Sequence, residues 1–151
     1  MRFLEVLNEL AVNIGIGQLQ PDETESVTLL FDSKHEITFM PDADSDAVYF
    51  QCEVGDASTL GYEGYKTLLE ASFSQTDGAA FSIHPAFQKV VLWKRYGEFT
   101  SLNAFEKTIN DFLGQVVVWK QRLQSGDFRM EETEDSLPPN MPSFTSNFIQ
   151  V

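Results

Sequence analysis

The segment that most constrains the fold lies in the last third of the chain, where apolar residues recur at alternating spacings of three and four. They are Leu102, Phe105, Ile109, Phe112, Val116, Trp119 and Leu123. This spacing places all of them on one stripe of a long amphipathic helix that begins near Ser101. Each such side chain contributes ~1.5–3 kcal/mol when it is buried, so the stripe is expected to lie against a sheet or another helix. The chain is therefore predicted to build a layered core around this helix.

Two more helices and five strands are predicted from the remaining apolar patterns. Spacings of three and four predict helices over residues 2–14 and about 60–73. Period-two alternation predicts strands over residues 27–32, around Ile37 and Phe39, and over 48–52, 79–83 and 89–95. The predicted fold class is α+β: a single domain of order α-β-β-β-α-β-β-α, with a twisted antiparallel sheet packed by helices.

The composition of the chain changes at about residue 124. Residues 1–124 contain all of the periodic segments and are predicted to form the domain. Residues 125–151 are acidic, contain prolines and have no period, so they are predicted to form a flexible tail.

The charge balance is strongly acidic and narrows the classes of partner. The 151 residues include 10 Lys and Arg against 23 Asp and Glu, a formal net charge of −13. This argues against nucleic acid, because nucleic-acid binding relies on Lys and Arg that neutralise phosphates. No apolar run approaches the ~20 residues of a membrane-spanning helix, and the N-terminal residues lack the cleavage site of a signal peptide. Together with a single cysteine, Cys52, these features predict a cytoplasmic protein with no membrane partner.

One acidic loop has the spacing of a calcium site. Asp42, Asp44, Asp46 and Glu53 stand at positions 1, 3, 5 and 12 of the EF-hand loop pattern. Position 6 of that pattern needs glycine, but it is Ala47 here, and a strand pattern rather than a helix follows. A solvated turn between two strands is therefore predicted, and a calcium-binding module stays an alternative.

Candidates for catalysis are few. His35 and His84 are too few for a metal site and are expected to be turn or strand residues. Cys52 lies in a strand pattern, where a buried and unreactive thiol is expected. Gly15 and Gly17 lack the third glycine of a dinucleotide fingerprint and follow a helix. The sequence offers no nucleophile–base pair, so a protein that is not an enzyme is predicted, with a small enzyme as an alternative.

The order of these elements and several local motifs resemble one known family. The motifs are SVTLLFD in the first strand, LLEASF and GAAFSI around a glycine-containing turn, VVLWKRY in the fifth strand, and F-x-x-x-I-x-x-F-x-x-x-V-x-x-W in the last helix. Over residues 3–123 the chain resembles the class I type III secretion chaperones of the Tir chaperone (CesT) family. The LLEASF–GAAFSI junction is the most specific match, and Ser72 stands there where the family usually has asparagine.

The resemblance implies a homodimer in the cytoplasm of a Gram-negative bacterium that binds the N-terminal region of a secreted effector in extended form. It implies no metal, nucleotide or other cofactor, and it implies the secretion ATPase as a further partner. The residues implied in effector binding are Leu4, Leu7, Leu10, Ala11, Val91 and Trp93. The residues implied in the dimer interface are Tyr62, Tyr65, Leu68, Leu69, Phe73 and Phe81. A regulatory protein of the same fold, which sequesters a secretion regulator, stays an alternative.

Overall fold

The structure is a computed structural model that describes residues 2–97, 101–126 and 148–150. In chain order its elements are α1 (Arg2–Asn13), β1 (Val27–Phe31), β2 (His35–Pro41), β3 (Val48–Asp56), α2 (Gly61–Ser74), β4 (Ala80–His84), β5 (Lys89–Tyr96), α3 (Leu102–Ser125) and β6 (Phe148–Gln150). The predicted α+β fold and its order α-β-β-β-α-β-β-α are confirmed, and one short strand, β6, follows that series.

The described strands form one antiparallel sheet in the order β4-β5-β3-β2-β1-β6. Strands β1, β2 and β3 make the predicted meander. Its first turn holds Asp32 and Ser33 at φ 53° and 55°, left-handed values that aspartate tolerates better than most residues. After α2, the chain returns to place β5 between β3 and β4, so that β3 pairs with β5 from Val48↔Tyr96 to Asp56↔Lys89.

One face of the sheet, here called the inner face, supplies alternate strand residues to a single hydrophobic core. Its fully packed members are Val27, Leu29, Phe31, Ile37, Phe39, Val48, Phe50, Cys52, Val54, Val90 and Leu92. The ring of Phe50 lies among them, with the ring centroids of Phe39, Phe105 and Phe112 at 5.1, 5.8 and 5.8 Å. The period of two in the sequence therefore corresponds to one buried face of the sheet.

Helix α3 covers the inner face with the predicted stripe. Its buried members are Phe105, Ile109, Phe112, Val116 and Trp119. The hydroxyl of Ser101 caps the first turn by accepting a hydrogen bond from the backbone N–H of Ala104 at 3.1 Å. At its other end α3 approaches β3 so closely that a Cβ on Gly55 would lie 2.9 Å from Cδ1 of Leu123. Glycine at position 55 therefore lets the helix rest directly on the strand.

Helices α1 and α2 contribute to the same core cluster. The residues are Phe3, Leu7, Leu10 and Ala11 from α1, and Leu68 and Ala71 from α2. The opposite face of the sheet, here called the outer face, contributes no side chain to that cluster. All three described helices thus contribute to the core on the inner face of the sheet, and the outer face takes no part in that core.

The predicted tail falls mostly outside the described residues, because residues 127–147 and 151 are not among them. Its described part continues α3 to Ser125 and forms β6, which pairs with β1. Flexibility of residues 125–151, and with it the predicted division of the chain at residue 124, stays a prediction. Among the helices that the structure describes, none is long and apolar enough to cross a membrane.

Candidate functional site

Helix α2 has apolar residues on two nearly opposite faces, and only one of them packs into the chain. Gly64, Leu68 and Ala71 are buried. The other face carries Tyr62, Tyr65, Leu69 and Phe73, whose exposed fractions are 77, 39, 72 and 93%. We call these four residues the α2 stripe. A row of large apolar side chains in water is unusual on a monomer and is typical of a surface that another protein covers.

A serine joins α2 to the edge strand β4. The hydroxyl of Ser72 donates to the carbonyl oxygen of Leu68 at 2.9 Å and accepts from the backbone N–H of Phe81 at 3.1 Å. Farther along the same connection, the Thr76 hydroxyl donates to the carbonyl oxygen of Ala79. These bonds hold the helix and the strand as one unit, which gives the LLEASF–GAAFSI junction a physical role.

The six residues implied in a dimer interface therefore separate into two groups. Tyr62, Tyr65, Leu69 and Phe73 form the exposed α2 stripe. Leu68 is 3% exposed, and the ring of Phe81 packs at 4.8 Å from that of Trp119 in an edge-to-face contact. Leu68 and Phe81 thus pack within their own chain, while a dimer interface at the α2 stripe stays a prediction.

The outer face of the sheet mixes aromatic, aliphatic and polar side chains. Trp93 is half-buried, and its Nε1–H donates to the hydroxyl of Ser82 on β4 at 2.7 Å. Its ring centroid lies 6.1 Å from that of Tyr49 on β3. Val91, two residues before Trp93, is 8% exposed and stands outside the core cluster. Both strand-five residues implied in effector binding therefore lie on the outer face.

An open cavity of about 550 Å³ extends across this outer face. Its lining comprises Leu30, Ser33, Lys34, Glu36, Thr38, Gln51, Glu53, His84, Phe87, Lys89, Val91 and Lys120. Of the residues in this lining, Val91 was predicted from the sequence as an effector contact, whereas Leu30, Phe87 and the lysines were not. Leu30 lies between the buried residues Leu29 and Phe31 of β1, so its side chain points to the opposite face of the sheet. The period of two in β1 could therefore have indicated that Leu30 lies on the outer face.

Charged side chains of both signs line the cavity, and Nζ of Lys89 lies 3.8 Å from a carboxylate oxygen of Glu53. Lys34, Lys89 and Lys120 line it together with two glutamates. Nζ of Lys120 lies 3.0 Å from Nδ1 of His35 and donates to the carbonyl oxygen of Lys34 at 3.2 Å. Burial of His35 lowers its pKa, and the nearby charge of Lys120 adds to the effect. The cavity therefore favours a ligand that combines apolar with acidic or hydrogen-bonding groups.

The residues of α1 implied in effector binding are mostly inside the chain. Leu7 and Leu10 are 0% exposed and Ala11 is 1% exposed, while Leu4 is half-buried against the core. In this structure these side chains stabilise the packing of α1 on the inner face. A role in effector binding for Leu4, Leu7, Leu10 and Ala11 stays a prediction.

The groups considered for catalysis lie apart and in different surroundings. His84 lines the outer-face cavity; its Nδ1 has no hydrogen-bond partner among the described residues, and its ring lies 4.8 Å from that of Phe87. Cys52 points into the core, where burial raises the pKa of its thiol to about 12. A thiol with this pKa stays protonated at neutral pH and is a poor nucleophile.

The acidic loop is organised by Asp42. Its carboxylate accepts hydrogen bonds from the backbone N–H of Asp44 at 3.1 Å and from the Ser45 hydroxyl at 2.8 Å, and Nη2 of Arg95 lies 3.4 Å away. The hydrogen bond from Ser45, followed by that from Asp44, holds the pKa of Asp42 below its usual value. Within residues 2–97, 101–126 and 148–150, no three His, Cys, Asp or Glu side chains come together as a metal site would require.

The chain is similar to known proteins in both sequence and fold. The sequence model of the Tir chaperone protein (CesT) family matches residues 5–120. A chain of the ExsC–ExsE complex superposes with a TM-score of 0.69 and 24% identity, over 81% of this chain and 93% of that one. A chain of the HopA1–SchA chaperone–effector complex gives 0.66 and 10%, over 79% and 93%.

A third structure is that of the Yersinia pestis type III secretion chaperone SycH in complex with a stable fragment of YscM2. It matches with a TM-score of 0.61 and 15% identity, over 78% of this chain and 98% of that one. At these identities the structural matches establish a shared fold. Comparison with curated protein sequences gives no match.

Proposed function

Because the chain belongs to the Tir chaperone (CesT) family, we propose that it is a type III secretion chaperone that binds the N-terminal region of a secreted effector in extended form. Chaperone–effector complexes among the structures of the same fold support this proposal. The proposed role is binding and not catalysis, and its proposed location is the cytoplasm of a Gram-negative bacterium. The secretion ATPase as a further partner stays a prediction from the family resemblance.

The outer face of the sheet is the observation that carries the proposal. The three helices that the structure describes pack into the core of the inner face, and the outer face carries a 550 Å³ cavity and the half-buried ring of Trp93. An extended segment suits such a surface, because its side chains can contact Leu30, Phe87 and Val91 while its main chain stays available for hydrogen bonding. We therefore place the effector on the outer face, with Val91 and Trp93 among its contacts.

We further propose that two copies of the chain associate through the α2 stripe and the adjoining strand β4. Homodimer interfaces are symmetric and rich in apolar area, and the stripe supplies such area on a helix that Ser72 fixes to an edge strand. The stripe and the outer-face cavity share no residue. Because β4 contributes His84 to the cavity, dimerisation is perturbed separately through the α2 stripe, whose substitution leaves the cavity lining unchanged.

A negative charge placed on the outer face tests whether the effector binds there. In Val91→Asp an ionised carboxylate would replace an apolar contact, and we expect effector binding to weaken at least about tenfold, or ~1.4 kcal/mol. The matched control is Asn103→Asp, because Asn103 is exposed at the start of α3, does not line the cavity and gains the same single charge. Binding is measured by calorimetry with the N-terminal segment of a secreted protein encoded beside this gene.

Two outcomes would count against the proposal. One is wild-type affinity in a folded Val91→Asp protein, since the effector would then lie elsewhere. The other is equal weakening by Val91→Asp and Asn103→Asp, since the loss would then reflect added negative charge at any position. Circular dichroism of both variants shows whether each keeps the fold.

A further inference from the structure

Strand β6 adds a last, very short strand to the sheet. It has three residues and pairs with β1 in the register Leu29↔Gln150, Leu30↔Ile149 and Phe31↔Phe148. The side chain of Gln150 fixes it a second time: its Nε2 donates to the carbonyl oxygen of Gln20 at 2.6 Å, and its Oε1 accepts from the backbone N–H of Gln20 at 3.2 Å. The last described residues of the chain are thus attached to the sheet through their backbone, and to the segment between α1 and β1 through the side chain of Gln150.

Among the described strands, β1 would be the edge strand on that side of the sheet if β6 were absent. A free edge offers unpaired N–H and C=O groups and readily accepts another strand. The family match ends at residue 120, so β6 lies beyond the matched region. The domain itself therefore presents β1 as an edge, and β6 is an addition that covers it.

The β1 edge adjoins the outer-face cavity. Leu30, which pairs with Ile149 of β6, also lines the cavity together with Val91. A strand that paired with β1 could therefore place neighbouring side chains into the cavity. The same extended segment would gain main-chain hydrogen bonds from the edge and apolar contacts from the cavity.

We propose that β6 is a built-in occupant of an effector-docking edge. In the empty protein β6 pairs with β1, and an extended effector segment takes the same edge in its place; this inference rests on the proposed chaperone function. β6 is suited to this because it pairs over three residues, whereas β1 offers five. Covalent attachment compensates for the short pairing, since a tethered strand acts at a high effective concentration. When β6 occupies the edge, the apparent affinity for the effector equals the intrinsic affinity multiplied by the fraction of molecules in which the edge is free.

The experiment uses the full chain with two prolines in β6, Ile149→Pro and Gln150→Pro. Neighbouring N–H groups of a strand point to opposite sides, so replacing both removes whichever one faces β1, and it also removes the Gln150 amide. The control carries two prolines outside β6, Thr145→Pro and Ser146→Pro. Amide hydrogen exchange of Val27–Phe31 is measured without any ligand. We expect the β1 amides that face β6 to exchange at least about tenfold faster in the β6 variant alone, and the amides that face β2 to be less affected.

Two binding measurements complete the test. The first probe is a synthetic peptide with the sequence of residues 143–151, and the second is the effector segment used above. We expect both to bind the β6 variant at least about tenfold more tightly than they bind the wild type or the control. Unchanged exchange in β1 would overturn the proposal, whether or not an effector binds.

Equal affinity of the effector segment for the wild type and the β6 variant would also overturn the proposal, because effector and β6 would then occupy different places. If the peptide binds only the β6 variant while the effector segment binds none of the proteins, the docking edge and its occupant stand and the proposed chaperone function fails. The two ideas are thus separable in one set of measurements.

Discussion

Substitution of Phe73, the most exposed residue of the α2 stripe, should have the largest effect on association of two copies of the chain. Its side chain is 93% exposed in the single chain, so nearly all of its area is available to a second copy. In a two-fold symmetric dimer each substitution occurs twice, once in each protomer. Phe73→Ala should therefore weaken association strongly while it changes little within the monomer.

The magnitude follows from the area that the stripe can bury. Covering a phenylalanine side chain contributes ~1.5–3 kcal/mol, so two copies contribute ~3–6 kcal/mol to the dimer. At ~1.4 kcal/mol for each factor of ten, Phe73→Ala should raise the dimer dissociation constant by roughly 10²- to 10⁴-fold. The contrast is Leu68 on the buried face of the same helix, where truncation to alanine should cost ~2–5 kcal/mol of folding stability.

Sedimentation velocity over a concentration series measures both the mass and the dissociation constant. We expect the wild type to run at twice the 17.1 kDa of one chain, and Phe73→Ala to shift to the monomer at concentrations where the wild type is dimeric. Val12→Ala, which truncates an exposed apolar residue of α1, should leave association unchanged. A wild-type protein that is monomeric, or a Phe73→Ala protein that dimerises as the wild type does, would refute the reasoning.

Three further predictions concern buried groups. Leu7→Asp should unfold the chain and not merely weaken effector binding, because Leu7 is 0% exposed; a folded variant by circular dichroism would contradict its place in the core. Cys52 should resist a thiol reagent in the native protein and react once denatured, because burial raises its pKa to about 12; rapid native labelling would contradict this. The pKa of His35 in the folded chain lies below its ordinary 6.5, so the unfolded chain takes up a proton at a higher pH than the folded chain does. Folding stability should therefore be lost as the pH falls through 6.5. His35→Gln should reduce this loss in a melting series from about pH 7.5 to 5.5, and an equal loss in both proteins would exclude His35 as its source.

Periodicity in the sequence was sufficient to predict most of the fold. The 3-4 spacing from Leu102 to Leu123 corresponds to α3, and the alternation of β1 and β3 corresponds to the inner face. Strand β6 was not predicted, because its three residues are too few to display a period and they follow a polar, Pro-containing stretch. Its pairing depends on the free edge of β1, a property of the assembled sheet.

The candidate site was only partly predictable for a related reason. An apolar pattern shows that a side chain avoids water but does not show what covers it. Leu7 and Leu69 look alike in their helical patterns, yet Leu7 is buried by its own chain and Leu69 is 72% exposed. The lysines of the cavity come from separate parts of the chain, with Lys34 in a turn and Lys120 on α3, and no local spacing connects them.

The pairing of β3 with β5 also affects when the sheet can form while the chain is being synthesised. Its partners, from Val48↔Tyr96 to Asp56↔Lys89, are separated by the whole of α2 and β4. The longest ladder of the sheet can therefore close only after Tyr96 has left the ribosome, and closing so large a loop delays it further. Until then β3 has a pairing partner on one side only, in β2. During synthesis, the interval between Asp56 and Tyr96 is thus the period in which the nascent chain is most open to pairing with the wrong strand.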